Sequence, residues 1–337
     1  MNEVRLAIVG AGGIAQTHAR GLKQVKGARV TTVVDMIRDR AESLAEKLNA
    51  DHVYEDIDTA LDAGGFDAID ICLPTYLHAP VTVAAANRGY HVLSEKPMAL
   101  TLEQADSMTA AARQKGIVLM IAQCRRYDNY WGAFRQAVQD GVIGRPVLWR
   151  SISAGPGPHQ PWYFERDEGG GPLIDGAIHN YDFARAIFGE ARSVYSAGQQ
   201  FNLKNTALDT GSTTIRFASE DVLLLSWSWG MPQQVRSSFQ DVIGPEGVLY
   251  LSQPAHAPKP TEEIPPNTGY LVVQRPGGSF EYIYYEKNDM YAAEIQAFVD
   301  AVREGRPSPL GPEDTKRSLA IATAVLESAA TRRLICL

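Results

Sequence analysis

Val4-Arg5-Leu6-Ala7-Ile8-Val9-Gly10-Ala11-Gly12-Gly13-Ile14-Ala15 is the stretch on which the fold turns. A six-residue apolar run, long enough for a buried strand, leads at once into GxGxxA and then into a helix-like segment, Ile14 to Val25. The glycine pattern alone is weak; its place between a strand and a helix gives it force. Gly10 permits a tight turn, Gly12 lets a pyrophosphate approach the backbone, and Ala15 lets helix and strand pack closely. Gly13 and Ile14 complete the turn, where the helix N-terminus offers free N–H groups and partial positive charge to phosphates. Asp35 follows a second apolar run, Ala28 to Val34, roughly 20 residues on, where an acid that accepts from a ribose 2′-hydroxyl belongs. That acid favours NAD. Arg38 keeps NADP open, since a nearby arginine accommodates a 2′-phosphate.

Outward from this unit the alternation continues. Arg38 to Leu48 reads helical, Ala68 to Leu73 as a buried strand, and Ala79 to Arg88 as a helix stopped by Gly89. His91 to Leu93 and Val118 to Ala122 complete the strands, and the alternation predicts a parallel sheet with helices on both faces. Near residue 123 the grammar changes. Val147–Ser153, Val194–Phe201, Gly211–Phe217, Val222–Trp229, Val248–Leu251, Tyr270–Gln274 and Phe280–Tyr285 follow one another as strands with few helices between them. This predicts a largely antiparallel sheet with one open face; Trp227, Trp229, Tyr282 and Tyr284 either line an interface between subunits on that face or pack as core against helices. Ile295, Phe298, Val299 and Val302 repeat at helical spacing, Pro312 starts a last helix, and proline-rich Gln253 to Gly269 is a loop. The expectation is α/β: a doubly wound parallel sheet in residues 1–122, then an α+β domain with an open, predominantly antiparallel sheet in residues 123–337. The two C-terminal helices are free to pack back on the first domain.

Of the 337 residues 45% are hydrophobic and 21% charged, enough for two cores, and the net charge is −7. That balance argues against a nucleic-acid or anionic-membrane surface, both of which want basic patches. No run approaches the ~20 apolar residues that span a bilayer. Three cysteines without CxxC spacing suit a reducing compartment, so the expected location is the cytoplasm.

Two further stretches carry chemistry. Glu95-Lys96-Pro97 follows directly on a strand, at the end where open α/β sheets bind their ligands, and the proline restricts the backbone that aims Lys96. Gly169-Gly170-Gly171-Pro172-Leu173-Ile174-Asp175-Gly176-Ala177-Ile178-His179 sets Asp175 and His179 four residues apart, on one face if the segment is helical from Pro172. No third ligand accompanies that pair, so no metal is expected.

In this order the three motifs resemble the Gfo/Idh/MocA family, which includes glucose–fructose oxidoreductase and the inositol dehydrogenases. Leu73 to Thr101 is similar to that family's third βα unit and EKP strand. The resemblance covers nearly the whole chain and implies a Rossmann domain, a second open-sheet domain, and an active site between them. It implies NAD or NADP as cofactor, a sugar, inositol or related polyol as substrate, and a homodimer or homotetramer built through the C-terminal sheet. Carried over by motif, Lys96, Asp175 and His179 are catalytic and also touch substrate. Pro74, Thr75 and His78 lie near the nicotinamide end with Glu95, Lys96 and Pro97. Arg125, in QCRRYD, is a substrate-contacting arginine with Arg126 as fallback. Apart from the resemblance, Trp162 and Tyr163 are candidates to shape the pocket, since aromatic rings suit sugars as well as plain packing. Pro172 departs from the small or aliphatic residue usual there. The bond between Lys96 and Pro97 is expected to be cis, as members often show.

The chemistry implied is oxidation of a CH–OH group by hydride transfer. His179, with an ordinary pKa near 6.5, suits the proton acceptor. Lys96 either stabilises the developing alkoxide or itself takes the proton. Two other readings stand beside this one: a redox-neutral enzyme that recycles bound NAD within one turnover, as in glycoside cleavage, and a non-catalytic NAD-binding regulatory protein.

Overall fold

The computed structural model describes residues 3–337. The chain runs β1 (Val4–Val9), α1 (Gly13–Leu22), β2 (Ala28–Val34), α2 (Arg38–Leu48), β3 (His52–Tyr54), α3 (Ile57–Ala63), β4 (Ala68–Ile71), α4 (His78–Asn87), β5 (His91–Glu95), α5 (Leu102–Lys115) and β6 (Leu119–Ala122). It continues as α6 (Asn129–Gln139), β7 (Leu148–Ala154), α7 (Ile178–Phe188), β8 (Ala191–Gln199), β9 (Thr210–Phe217), β10 (Val222–Ser228) and β11 (Ser237–Gly244). The remaining elements are β12 (Gly247–Tyr250), β13 (Thr268–Gln274), β14 (Phe280–Glu286), α8 (Met290–Glu304), α9 (Pro312–Thr331) and β15 (Ile335–Cys336). Two compact units result: Met1–Tyr127 with Asp289–Leu319, and Asp128–Asn288 with Ala320–Leu337.

In the first unit six parallel strands lie in the order β3-β2-β1-β4-β5-β6. The order reverses at β1, so the loops after β1 and β4 diverge at a switch point, where such sheets take their ligands. Helices cover both faces, which is why β4 and β6 are buried at every position. Alternate residues of β1 feed two cores: Leu6 and Ile8 pack with Leu44, Leu93 and Met120, and Ala7 and Val9 with Ile69, Ile71 and Ile121. The periodic face of α8, Ile295, Phe298, Val299 and Val302, closes the first of these cores.

The second unit holds nine strands in the order β14-β13-β12-β11-β7-β10-β9-β8-β15, all antiparallel except β7 with β10. One register line crosses seven of them through Val194, Ile215, Leu223, Trp149, Val242, Leu249 and Val273, each wholly buried. Against that face stand Trp131 and Phe134 of α6 and Phe183 and Phe188 of α7, in edge and tilted contacts with Trp149 and one another. The other face leaves Ile152, Tyr195, Phe239 and Tyr284 exposed. Strand parity decides between the two readings of the β10 tryptophans. Trp227 shares the side of buried Leu223 and Leu225, and its indole lies against Gly176, so Trp227 and its neighbour Trp229 belong to the covered side. The architecture is the α/β arrangement that the strand and helix periodicities predict, with a parallel sheet in one unit and a mostly antiparallel one in the other.

Candidate active site

The turn after β1 is built as the glycine pattern requires. Gly10 has φ +93°, and a Cβ there would stand 2.5 Å from the Cys72 carbonyl oxygen on β4's continuation. Gly12 and Gly13 face open space, with nothing within 4 Å of where a Cβ would be. Gly12 caps α1 without a side-chain hydrogen bond, and the helix has no acidic residue in its first turn. The N–H groups at that end therefore face the open space above the turn, while Ala15 is wholly buried beneath and Ile14 half-buried. Asp35 reaches back across the turn: its Oδ2 accepts from the Ala11 N–H at 2.7 Å and its Oδ1 from the Ile37 N–H at 2.8 Å. Arg38, exposed, donates to Glu42 at 2.8 Å and Glu55 at 3.2 Å, and these two carboxylates raise its pKa. Free backbone donors, room for a phosphate, and a carboxylate at the end of β2 together fit the pyrophosphate and ribose of NAD.

Across the switch point the loops after β4 and β5 are tied together. Pro74 precedes a short 3₁₀ turn, Thr75–Leu77, in which Thr75 is buried. His78, also buried, sets Nε2 2.9 Å from the Leu73 carbonyl and Nδ1 2.8 Å from the Pro97 carbonyl. The Lys96–Pro97 bond is cis, as the resemblance implies. Lys96 is half-buried, between buried Glu95 and buried Pro97. Glu95 is directed inward: Oε1 meets His18 Nε2 at 3.1 Å and Oε2 accepts from the Lys96 N–H at 3.0 Å. Arg125 sits half-buried on a 3₁₀ turn, Cys124–Tyr127, at the carboxyl end of β6, and its neighbour Arg126 pairs with Asp314 at 3.5 Å.

In the second unit, Pro172–Gly176 forms a π-helical turn, with α7 beginning only at Ile178. The single regular helix from Pro172 is thereby corrected: Pro172, with no N–H of its own, starts a wider turn, of the kind often found at functional sites. Asp175 lies in the π turn, buried, and His179 in the first turn of α7, half-buried. Trp162 stacks on Tyr163 with centroids 3.6 Å apart, and Tyr163 meets Trp229 edge-on at 5.8 Å. A Cβ on Gly176 would stand 2.7 Å from the Trp227 and Trp229 rings, so these aromatics back directly onto the Asp175 turn.

The cluster around His18 has no counterpart in the motifs. His18, on α1 and fully buried, places Nδ1 2.8 Å from Asp70 Oδ2 on β4 as well as Nε2 against Glu95. Cys72 Sγ lies 3.7 Å from Asp70 Oδ1. Burial by itself lowers the imidazole pKa, but Asp70 and Cys72 raise it well above the usual value. Burial pushes the Cys72 thiol up to about 12. The donor atoms of His18, Asp70 and Cys72 lie within 4.8 Å of one another, but Nδ1 and Oδ2 stand at hydrogen-bond length, closer than two ligands of one tetrahedral metal. A charged residue inside the apolar strand Ala68-Ile69-Asp70-Ile71 was the available signal, since a buried carboxylate requires a partner.

Residues 4–123 match the model of an oxidoreductase family with an NAD-binding Rossmann fold, and residues 131–250 match the GFO/IDH/MocA C-terminal domain. The chain is 26% identical to myo-inositol 2-dehydrogenase of Thermotoga maritima over 98% of each chain. It is 27% identical to scyllo-inositol 2-dehydrogenase (NAD(+)) of Bacillus subtilis over 97% of this chain and 94% of that one. The same fold is seen in an oxidoreductase from Agrobacterium radiobacter crystallised with NAD+, L-tartaric acid and magnesium: TM-score 0.84, 22% identity, 99% of this chain and 98% of that one. The chain belongs to the Gfo/Idh/MocA family of NAD-binding oxidoreductases.

Proposed function

We propose that this protein oxidises a secondary alcohol of an inositol, a sugar or a related polyol, with NAD as hydride acceptor. The observation that carries the reading is the turn at Gly12. Open space stands above the uncapped α1 N-terminus, and Asp35 is locked beside it by the Ala11 N–H. Engagement of Arg38 by Glu42 and Glu55 supports NAD over NADP, because an arginine already paired twice offers less to a 2′-phosphate. The inositol dehydrogenases among the relatives support the substrate class.

Bound NAD supplies the electrophilic ring carbon that takes the hydride. Loss of hydride from a carbinol carbon requires that the hydroxyl proton leave with it. His179 takes that proton, a role to which an imidazole is suited in acid–base catalysis. Asp175 orients the imidazole, and the role that suits the Lys96 ammonium is to stabilise the negative charge of a developing alkoxide. Arg125 and Trp162 contact the remaining hydroxyls and the ring face of the substrate. Pro74, Thr75 and His78 shape the nicotinamide end of the cofactor site. In the turn, Gly10, Gly12, Gly13, Ile14 and Ala15 hold the pyrophosphate.

A panel of myo-inositol, scyllo-inositol, aldoses and sugar acids, followed by absorbance of reduced nicotinamide with each cofactor, tests the reading. NAD reduction by at least one polyol is expected, and turnover falls about 10²–10⁴-fold in Lys96→Ala and in His179→Ala. Tight NAD binding with no reduction by any polyol would refute it.

No helix among the described residues is long and apolar enough to cross a membrane. We place the protein in the cytoplasm, where Cys72, Cys124 and Cys336 persist as free thiols. We also propose a homodimer or homotetramer, with exposed Ile152, Phe239 and Tyr284 of the open sheet face buried between subunits. A monomer in light scattering at micromolar concentration would dismiss that assembly.

A further inference from the structure

We infer that His18 is a positioning residue for the reaction: by bridging Asp70 and Glu95 inside the first unit, it fixes the Glu95 carboxylate that holds the Lys96 backbone. The inference rests on Lys96 having the role proposed above.

The chain of contacts is continuous and comes from three elements. Asp70 is on β4, His18 on α1 and Glu95 at the end of β5. Asp70 Oδ2 meets His18 Nδ1 at 2.8 Å, His18 Nε2 meets Glu95 Oε1 at 3.1 Å, and Glu95 Oε2 accepts from the Lys96 N–H at 3.0 Å. A neutral imidazole donates through one nitrogen only. Here both nitrogens face carboxylates, which accept and do not donate, so the arrangement calls for the imidazolium. Its positive charge stands between two acids that are both buried, at 1% and 6% exposure. Burial works against an ionised Glu95, yet its bond to His18 keeps the pKa below the ordinary value.

Removing one member of such a cluster leaves buried charge uncompensated, so the cluster holds its geometry strongly. What it holds is specific. Lys96 is followed by a proline, which has no N–H, so the Lys96 N–H is the last main-chain donor of the strand end, and Glu95 takes it. On the far side of Pro97, the carbonyl is held by His78. Lys96 is thus clamped at its own N–H and at the carbonyl of the next residue, while its side chain carries the chemistry. The His18 ring is itself packed against Tyr291 of α8, with centroids 5.8 Å apart, so the bridge has little room to swing.

Glu95→Gln and Glu95→Ala separate this role from general stability. The amide introduced by Glu95→Gln still accepts from the Lys96 N–H through its oxygen, and its NH2 donates to a neutral His18. Glu95→Ala removes both contacts. His18→Gln can satisfy one carboxylate and cannot bridge two. The readouts are amide hydrogen exchange at Lys96, NAD affinity by calorimetry, and turnover with myo-inositol or whichever polyol the panel identifies. Exchange at Lys96 is expected to quicken about tenfold or more in Glu95→Ala and His18→Gln and to stay near wild type in Glu95→Gln. Turnover is expected to fall about 10–100-fold in the first two, the loss that a displaced catalytic group produces, with NAD affinity within about threefold of wild type. The double variant His18→Gln/Glu95→Ala should be no slower than the slower single, because both break one chain of contacts.

Wild-type exchange at Lys96 and wild-type turnover in a folded Glu95→Ala or His18→Gln would overturn the inference, as would losses that multiply in the double variant. Should His18→Gln fail to fold, the Glu95 pair decides alone, and equal losses in Glu95→Gln and Glu95→Ala would count against the geometric role. Lys96→Ala separates the two levels. If it retains turnover, the functional reading itself fails. If it loses turnover while Glu95→Ala does not, only the positioning role of His18 fails.

Discussion

Alanine at Gly10 and alanine at Gly12, two residues apart, should do opposite things. At Gly10 the backbone sits at φ +93°, and an added Cβ would meet the Cys72 carbonyl oxygen at 2.5 Å and its carbon at 2.9 Å. Those atoms are main chain and cannot step aside without moving β4's continuation. Strain at positive φ costs about 1–3 kcal/mol and the steric overlap about 1–3 more, against a gain of about 0.4–1 from a stiffer unfolded chain. The net is about 1–6 kcal/mol of lost stability, or roughly 2–22 °C in Tm at 2–4 °C per kcal/mol. At Gly12 the backbone is at φ −75° and ψ −164°, which alanine adopts freely, and no atom lies within 4 Å. The entropy gain of about 0.4–1 kcal/mol nearly offsets alanine's poorer standing as an N-cap, about 0.5–1 kcal/mol, so Tm should move by less than about 2 °C. NAD binding should suffer instead, because the methyl group stands where the pyrophosphate approaches the helix. Loss of one charge-assisted bond, about 1.5–3 kcal/mol, weakens NAD by roughly 10–150-fold. Thermal scans with and without NAD, with calorimetric titration of each variant, read both effects. A Gly12→Ala protein that binds NAD as well as wild type would show that the open space is not the cofactor's.

Asp35→Ala should shift cofactor choice towards NADP by about tenfold or more in the ratio of kcat/KM values, since it removes the acceptor for a ribose hydroxyl. It should also cost about 1–3 kcal/mol in stability, because the buried Ala11 N–H loses its partner; a wild type that already prefers NADP would overturn this account of Asp35. Of the three thiols, exposed Cys336 should react with maleimide at neutral pH while Cys72 and Cys124 stay unmodified, burial having pushed both up to about 12. Peptide mapping that finds Cys72 modified in native protein would contradict its burial. The His18 pKa is raised in the folded state, so its contribution to stability is full below about pH 6.5 and lost as pH rises through the folded value, at about 1.4 kcal/mol per unit of difference. Denaturant midpoints across the neutral to alkaline range should therefore decline, and decline less in Glu95→Gln, where one of the two carboxylates holding the proton on His18 is gone; parallel curves would refute the assignment.

The parallel half of the fold was legible because its strands are continuous apolar runs with helices between them, a consequence of burial on both faces. The exceptions are informative. β3 has three residues, lies at the sheet edge and is no more than half-buried, so its sequence His52-Val53-Tyr54 carries no pattern long enough to read. β11 begins with three exposed residues and is buried only at Asp241 and Val242, so period-two alternation never establishes itself. Its place is set by register, Ser237 through Ile243 pairing with Ala154 through Leu148 of β7. α6 is different, because Trp131, Phe134, Ala137 and Val138 do show helical spacing, and only the strand-rich surroundings hid it. The side on which the indoles of Trp227 and Trp229 lie stayed open in the sequence for a related reason. Alternation along β10 says that Trp227 goes with Leu223 and Leu225 but not which face the helices cover, and that is decided by α6 and α7 packing on Trp149.

The site divides in the same way. Gly10, Gly12, Asp35 and Lys96 stand out as candidates in the sequence because each answers a local constraint: a backbone angle, a close approach, the end of a strand. His18 was not legible, because nothing within four residues of it on α1 explains a histidine on the buried side of a helix. Its reason is Asp70, 52 residues away, and Glu95, 77 residues away. A buried acid in the middle of an apolar strand is the mark such a partner leaves in sequence, and Asp70 between Ile69 and Ile71 bears it. The same logic places Glu95 differently from a ligand contact. Its carboxylate is turned into the core, where the imidazolium holds it, and through the Lys96 N–H it acts on the backbone that carries the proposed catalytic lysine. A motif of three residues, Glu95-Lys96-Pro97, is therefore read as three physical jobs. One residue is anchored in the core, one presents a charge, and one restricts the backbone that joins them to the next loop.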